Sequence, residues 1–400
     1  MLPYTLLRLR PSGLHRFCSP GKRALFLAGL YVFGCGLMSA CGGNASGSSS
    51  GSGSSGGGGG ATAATPTIST TAAQNNALVM TLADSTSGAT IYYTLDGSTP
   101  TTASQIYEAP VLISSNITVN ALAAATGYSN SAVATQSFTP NIASGTLVWS
   151  DEFTNSGSSN AQPNPLVWGY DTGGGGWGNN ELETYCAWAS NMTPCSSSAP
   201  NAYVGTDSAL HIVAQQQSSG GYTSARMKTE GLFSFQYGRI EVRARVAEEQ
   251  GLWPAFWLLG NNMSTVGWPG CGEMDVLERV NAAGSPDWNA GSIHGTGFTG
   301  SALGTQYSFP SGQNAAGWHT YGMIWKKGSV SYYIDDSSQP YATFTPTSIQ
   351  NYSGSVWPFD NGPAFIILNM AVGGIWPGSP DSSSVFPAEF DVDYVRIYAN

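Results

Sequence analysis

Glu273-Met274-Asp275-Val276-Leu277-Glu278 sets three carboxylates within six residues, on a segment otherwise built of strand-forming apolar residues. Side chains alternate along a β-strand, so Glu273 and Asp275 share one face while Met274 and Val276 point the other way. Simple counting puts Glu278 on the wrong face. One extra residue, Val276 or Leu277, inserted as a β-bulge returns it to the face of Glu273 and Asp275. Three acids on one face repel one another and raise at least one pKa. A folded chain accepts that cost mainly where chemistry needs it. For these residues taken alone, the competing reading is an exposed edge strand whose acids meet only water.

The neighbouring segment Gly251-Leu-Trp-Pro-Ala-Phe-Trp-Leu-Leu-Gly260 narrows the choice. Read as a strand, it puts Trp253, Ala255 and Trp257 on one face and Phe256 and Leu258 on the other. Two tryptophans on an open face suit a sugar cleft, because aromatic rings stack on the apolar faces of pyranoses while paired acids act on the bond between sugars. At this point the acid segment resembles the active-site strand of glycoside hydrolase family 16, in its laminarinase-like branch with the bulged E-x-D-x-x-E. Further blocks follow the family's order: Leu147-Val-Trp-Ser-Asp-Glu-Phe153, Gly173-Gly-Gly-Gly-Trp-Gly-Asn-Asn-Glu181, Tyr222-Thr-Ser-Ala-Arg226, Phe235-Gln-Tyr-Gly-Arg-Ile-Glu241, Leu368-Asn-Met-Ala-Val-Gly-Gly374 and Val392-Asp-Tyr-Val-Arg-Ile-Tyr398. The resemblance covers roughly residues 146–400 and implies a β-jelly-roll sandwich whose concave sheet forms the cleft.

Composition is consistent with this. Only 10% of the residues are charged, 12% are aromatic and 51 are glycine, which suits a turn-rich, all-β extracellular protein. All five Lys and Arg residues before Cys41 lie in a targeting segment that holds no acid. The remainder carries 14 − 5 = 9 basic residues against 24 acids, a balance of −15. That excess argues against a nucleic-acid partner, whose backbone demands clustered Lys and Arg. It also disfavours a densely sulfated glycan and fits a neutral polysaccharide.

The N-terminus reads as export machinery. Arg8, Arg10, Arg16, Lys22 and Arg23 precede an apolar run from Ala24 to about Leu37, too short for a stable spanning helix. Leu37-Met-Ser-Ala-Cys41 resembles a bacterial lipoprotein signal, with residues 1–40 removed and Cys41 lipidated. The alternative is an ordinary signal peptide cut near Ala40. The expected location is the bacterial cell envelope, at the outer membrane, with the lipid as the only membrane attachment; otherwise the chain is secreted. Residues 41–60 are nearly pure Gly and Ser, a flexible tether.

Residues 61–140 have no Lys, Arg or Trp, and their β-branched runs are broken by turn signals. They predict a small Ig-like β-sandwich. The run Ala89-Thr-Ile-Tyr-Tyr-Thr-Leu-Asp-Gly-Ser-Thr-Pro100 is similar to the module at the C-terminus of chitobiases and hexosaminidases. Because all twelve Trp lie at or beyond Trp149, this module reads as a spacer rather than a sugar binder. A linker at 141–146 leads to the catalytic domain, 147–400, where strand patterns again prevail without helical periodicity. Cys186 and Cys195 bracket a short loop and, in an exported chain, read as a disulfide. Cys271 has no evident partner, and no C-x-x-C or H-E-x-x-H pattern suggests a transition-metal site.

The family resemblance implies roles for the acids. Glu273 is the nucleophile, Glu278 the acid/base, and Asp275 helps keep one Glu ionised and the other protonated. Hydrolysis with retention needs the two carboxyls about 5–5.5 Å apart. Four strand steps separate their backbones by about 13 Å, so the side chains must lean together. By the same resemblance Trp253 and Trp257 line the cleft, Trp177 and Asn179 form part of its non-reducing-side subsites, and Arg226 contacts substrate. His294, Trp268 and Asn369 are further substrate-binding candidates. No cofactor is required. Glu152 and Asp393 match positions that often hold a structural Ca²⁺, though two acids alone do not make such a site. The expectation is a monomeric, retaining endo-β-glucanase acting on β-1,3-linked glucan. The alternatives are a family member acting on mixed-linkage glucan, agar or carrageenan, and a non-catalytic glucan-binding protein.

Overall fold

Strands dominate because the sequence alternates apolar and polar residues over short runs separated by Gly, Asn and Asp turns. The computed structural model describes residues 60–281 and 287–400, so the export segment, Cys41 and most of the tether lie outside the described residues. The described strands form three sheets of eleven, ten and four strands. No helix among the described residues is long and apolar enough to cross a membrane.

The eleven- and ten-stranded sheets enclose the main core. From the former come Phe256, Leu258, Met274, Leu277, Ile293, Ile366, Leu368 and Met370. From the latter come Ile212, Ile240, Val242, Met323, Trp325, Val392, Val395 and Ile397. This is the two-layer sandwich expected of residues 147–400. The acid strand Glu273–Glu278 is third from one edge of the larger sheet, between the strands Leu252–Gly260 and Trp288–His294.

The expected bulge is present. Ala255 pairs with Glu278 and Phe256 with Leu277, but Trp257 pairs with Asp275, so Val276 is the inserted residue on that side. Val276 and Leu277 both turn into the core beside Met274, whereas Asp275 and Glu278 turn away from it. Two consecutive inward residues are what put all three acids on one face.

The strands of residues 61–140 do not stand apart as the spacer reading implies. Val111–Ile113 pairs in parallel with Ser234–Phe235, which pairs in turn with Ala364–Val372. The strands Thr67–Ala72 and Leu78–Ala83 therefore extend the same sheet that carries the acids. Leu112 and Ala77 are buried in the main core with Phe235, while Val111 and Ile113 join Tyr93, Val119 and Phe138 in a second, smaller core. Because neighbours along a strand face opposite ways, the four-stranded sheet (Thr90–Thr94, Gln105–Ile106, Ile117–Ala124, Ala134–Phe138) lies on the same side of the large sheet as the acids. The segment between the two parts is also tied down, since the Gly145 N–H donates to the Ala399 carbonyl at 2.9 Å.

Candidate active site

Cross-strand pairing assembles the site from distant segments. One line of paired residues crosses the sheet through Asp171, Arg226, Asn369, Ala255, Glu278 and Ala290. A second passes through Ile367, Trp257, Asp275 and Ser292, and a third through Leu259, Glu273 and His294. Paired residues share a face, so these side chains project together on the side away from the core. Sequence spacing accounts for the acids and Trp257; the register supplies Arg226, Asn369 and His294.

The three carboxyls differ in surroundings. Glu273 accepts a hydrogen bond from Trp268 Nε1 at 2.8 Å and lies 3.7 Å from His294 Nε2. Asp275 is 3% exposed and lies 3.0 Å from the same nitrogen. Glu278 is also buried, with Ser292 Oγ 3.5 Å away. Burial pushes the Glu273 carboxyl up to about 8, with Asp275 adding to the rise and His294, Trp268 and Arg226 opposing it. Burial likewise holds Asp275 well above the usual carboxylate range, against a hydrogen bond with Glu273. Glu278 is raised by burial, then by Asp275 and Glu273, with His294 and Trp253 pulling the other way. The expectation that acids on one face raise a pKa is met by all three, and desolvation outweighs repulsion as the cause.

Aromatic and amide groups frame the acids. The Arg226 guanidinium lies between two indoles, 5.1 Å from the Trp177 ring and 4.7 Å from the Trp257 ring, and its Nε is 3.0 Å from Asp171. Trp257 Nε1 donates to Asn369 Oδ1 at 2.7 Å, and Asn369 Nδ2 donates to the Tyr185 hydroxyl at 3.2 Å. Tyr185 donates onward to Glu181 at 3.3 Å, which also accepts from Asn179 Nδ2 at 3.0 Å. This directed chain fixes which way the Asn369 amide points and ties Trp257 to the loop that carries Trp177. At the other end Trp253 meets Trp376 edge-on at 5.1 Å, and Trp376 stacks on Trp288 at 5.8 Å.

Several of these groups escape sequence reading. Glu181, Glu183, Tyr185, Asp171, Trp288 and Trp376 all support the site. The G-N-N-E-L-E-T-Y stretch carries a signal in its paired acids, which resemble the spacing of Glu273 and Asp275. Glu183 is buried and accepts the Val372 N–H at 2.7 Å; burial and then Glu181 raise its carboxyl to about 8. It anchors the start of the Gly373-Gly374 turn that leads to Trp376. Gly373 has φ +71° and packs on Leu182, where any Cβ would meet Cγ at 2.5 Å, so a larger residue here would be strained and would displace Leu182.

Glu152 and Asp393 are not drawn into this site. Arg396 grips both oxygens of Glu152, with Nε at 2.9 Å and Nη2 at 2.8 Å, and Arg243 donates to Asp393 at 2.6 Å. A hard cation needs such oxygens as ligands. As arranged, each of these two acids is held by an arginine. Among the described residues two other groups bring three donor atoms within 4.8 Å of one another: Glu273 with Asp275 and His294, and His211 with Glu389 and Asp391. In the latter, His211 Nδ1 lies 2.8 Å from Asp391 and Nε2 3.1 Å from Asp207, while Arg245 donates to Asp391 at 2.7 Å. That group is an ion-pair hub. Cys186 and Cys195 form the expected disulfide, and Cys271 is a buried free thiol that burial raises to about 11.

Known proteins are similar to this chain in sequence and in fold. The profile of Glycosyl hydrolases family 16 matches residues 189–396, and one described as Fn3 associated matches residues 80–138. The chain is 37% identical over 262 residues to a beta-glucanase of Rhodothermus marinus, covering 63% of this chain and 84% of that one. It is 32% identical over 289 residues to Glucan endo-1,3-beta-glucosidase A1 of Niallia circulans, covering 65% of this chain but only 38% of that one. The laminarinase catalytic domain of Thermotoga maritima superposes with a TM-score of 0.55 at 36% identity, covering 64% of this chain and 99% of that one. With the profile matched over half its length, and with three acids, a bulge and flanking tryptophans in one sheet, the chain belongs to glycosyl hydrolase family 16.

Proposed function

We propose that this chain is a retaining endo-β-1,3-glucanase, cleaving internal bonds of laminarin-like glucan by double displacement. The observation that carries the reading is the bulge at Val276, which turns Glu273, Asp275 and Glu278 onto one tryptophan-flanked face. The relatives named above, a beta-glucanase, an endo-1,3-beta-glucosidase and a laminarinase, support the substrate class.

The family resemblance makes Glu273 the nucleophile, and the Trp268 N–H, His294 and Arg226 all favour its charged form against burial and Asp275. Glu278 lies deeper, and burial together with the two neighbouring acids favours its protonated form, which suits the acid. In the first step a Glu273 oxygen bonds to the anomeric carbon as the bond to the leaving sugar breaks, and the Glu278 proton passes to the leaving oxygen. In the second, Glu278 takes a proton from water, the water oxygen attacks the anomeric carbon, and the ester to Glu273 breaks. Asp275 sits between them and keeps the cluster from ionising fully. All the groups this requires come from one chain, without a cofactor.

The test is product analysis on laminarin, lichenan, agarose and κ-carrageenan. Oligosaccharides from laminarin, with little from the galactans, are expected. Cleavage of a galactan instead overturns the substrate, and binding without hydrolysis favours a glucan-recognition protein.

The N-terminal sequence supports export with lipidation at Cys41, whose side chain would carry the only membrane attachment. Metabolic labelling with a fatty acid checks this: Cys41→Ala should abolish label and release the protein, and label that persists refutes it.

A further inference from the structure

A groove of about 730 Å³ runs between the four-stranded sheet and the loops at the Glu273 end of the site strands. Its walls include Tyr92 and Gln105 on one side and Gln236, Tyr237, Asn262 and Asn361 on the other. Two tyrosine rings and four carboxamides are the groups a neutral, hydroxyl-rich chain would use, the rings for pyranose faces and the amides as paired donors and acceptors. The amides have capacity to spare. Gln105 Nε2 and Gln236 Nε2 make only long bonds to backbone carbonyls, 3.4 Å each. The acids of the groove are already engaged: Asp96 accepts from Ser98 N at 3.0 Å and Oγ at 2.6 Å, and Asp360 accepts from Gly328 N at 2.9 Å and Tyr237 at 3.2 Å. The one cation of the lining, Lys327, lies in the field of Asp96, so acid and base offset each other there and the neutral groups dominate.

The groove is joined to the acids by one short segment. Asn262, Thr265 and Val266 line it, and two residues further on Trp268, half exposed, donates to Glu273. Glu108 accepts a hydrogen bond from Ser264, which fastens the added strands to the same segment. Trp268 and Val266 are both exposed, so this segment presents apolar surface between the acids and the groove.

We propose that this groove is an accessory binding site for a neutral β-glucan chain, built jointly by the N-terminal strands and the hydrolase sandwich. The proposal rests on the β-1,3-glucan reading of the acids and replaces the spacer role expected for residues 61–140. The experiment is calorimetric titration of the full chain carrying Glu273→Gln with a long β-1,3-glucan and with its trisaccharide. Adding Tyr92→Ala should weaken the polymer about three- to tenfold by loss of one stacked ring, and leave the trisaccharide unchanged. Thr102→Arg, which places bulk in the groove from an exposed turn residue, should do the same and carries the test if Tyr92→Ala does not fold. Unchanged polymer affinity in both variants overturns the groove, as does an equal loss for both ligands, which would place the effect at the acids. A Glu273→Gln chain that binds neither ligand but retains another polysaccharide refutes the β-1,3-glucan reading itself, and the ligand assigned to the groove with it.

Discussion

Leu112 offers a sharp test of how the N-terminal strands relate to the hydrolase sandwich. It lies in the strand Val111–Ile113, is 4% exposed, and packs in the main core with Phe235. Leu112→Ala removes a buried branched side chain whose cavity costs about 2–5 kcal/mol. A cooperative unit of roughly 340 residues has an unfolding entropy near 0.7 kcal/mol per degree. The midpoint should therefore fall by about 3–7 °C. Tryptophan fluorescence is the appropriate assay, because all twelve Trp lie at or beyond Trp149 and report only on the sandwich. If the continuous sheet is real, a substitution far from every tryptophan in sequence shifts the tryptophan transition. Two separate calorimetric transitions, with the fluorescence midpoint unmoved and only the other displaced, would refute the argument and restore an independent spacer.

Other predictions concern charge. Asp275→Asn removes a negative neighbour from Glu273 and Glu278, which favours their ionised forms; the pH profile of kcat/KM should move to lower pH, and a shift upward contradicts the assignment. Burial lowers the His211 pKa, but hydrogen bonds to Asp391 and Asp207 outweigh it and hold the imidazole near 9. A raised folded pKa stabilises below the unfolded value of about 6.5 and is lost as pH rises through about 9. Urea midpoints should therefore decline between those values in the parent and stay flatter in His211→Gln. Because Arg396 and Arg243 occupy Glu152 and Asp393, EDTA should leave the Tm unchanged; a marked fall would point to calcium displacing these arginines.

What the sequence disclosed follows the range of its signals. The acids and their bulge were legible because strand alternation is local: Glu273, Asp275 and Glu278 can be placed by counting once one insertion is allowed. Trp253 and Trp257 followed from the same counting on the next strand. The union of Val111–Ile113 with Ser234–Phe235 was not legible, since a short parallel pairing between residues 123 positions apart is made by backbone groups that carry no side-chain signature. The Tyr185 relay was missed for a related reason. Its members, Trp257, Asn369, Tyr185 and Glu181, come from three strands and a loop, and only the fold makes them adjacent. The arginines that face Glu152 and Asp393 were not legible either, because acids near a domain's ends do not reveal in sequence which side chain lies opposite.

The most direct test of the central claim is proton NMR of laminarin during its first minutes of hydrolysis by the chain from residue 61 onward. Double displacement through Glu273 predicts that new reducing ends appear first as the β-anomer and only later mutarotate to α. Initial release of the α-anomer would contradict Glu273 as nucleophile and require a water placed between the carboxyls. No new reducing ends at all would contradict the enzyme assignment for this substrate.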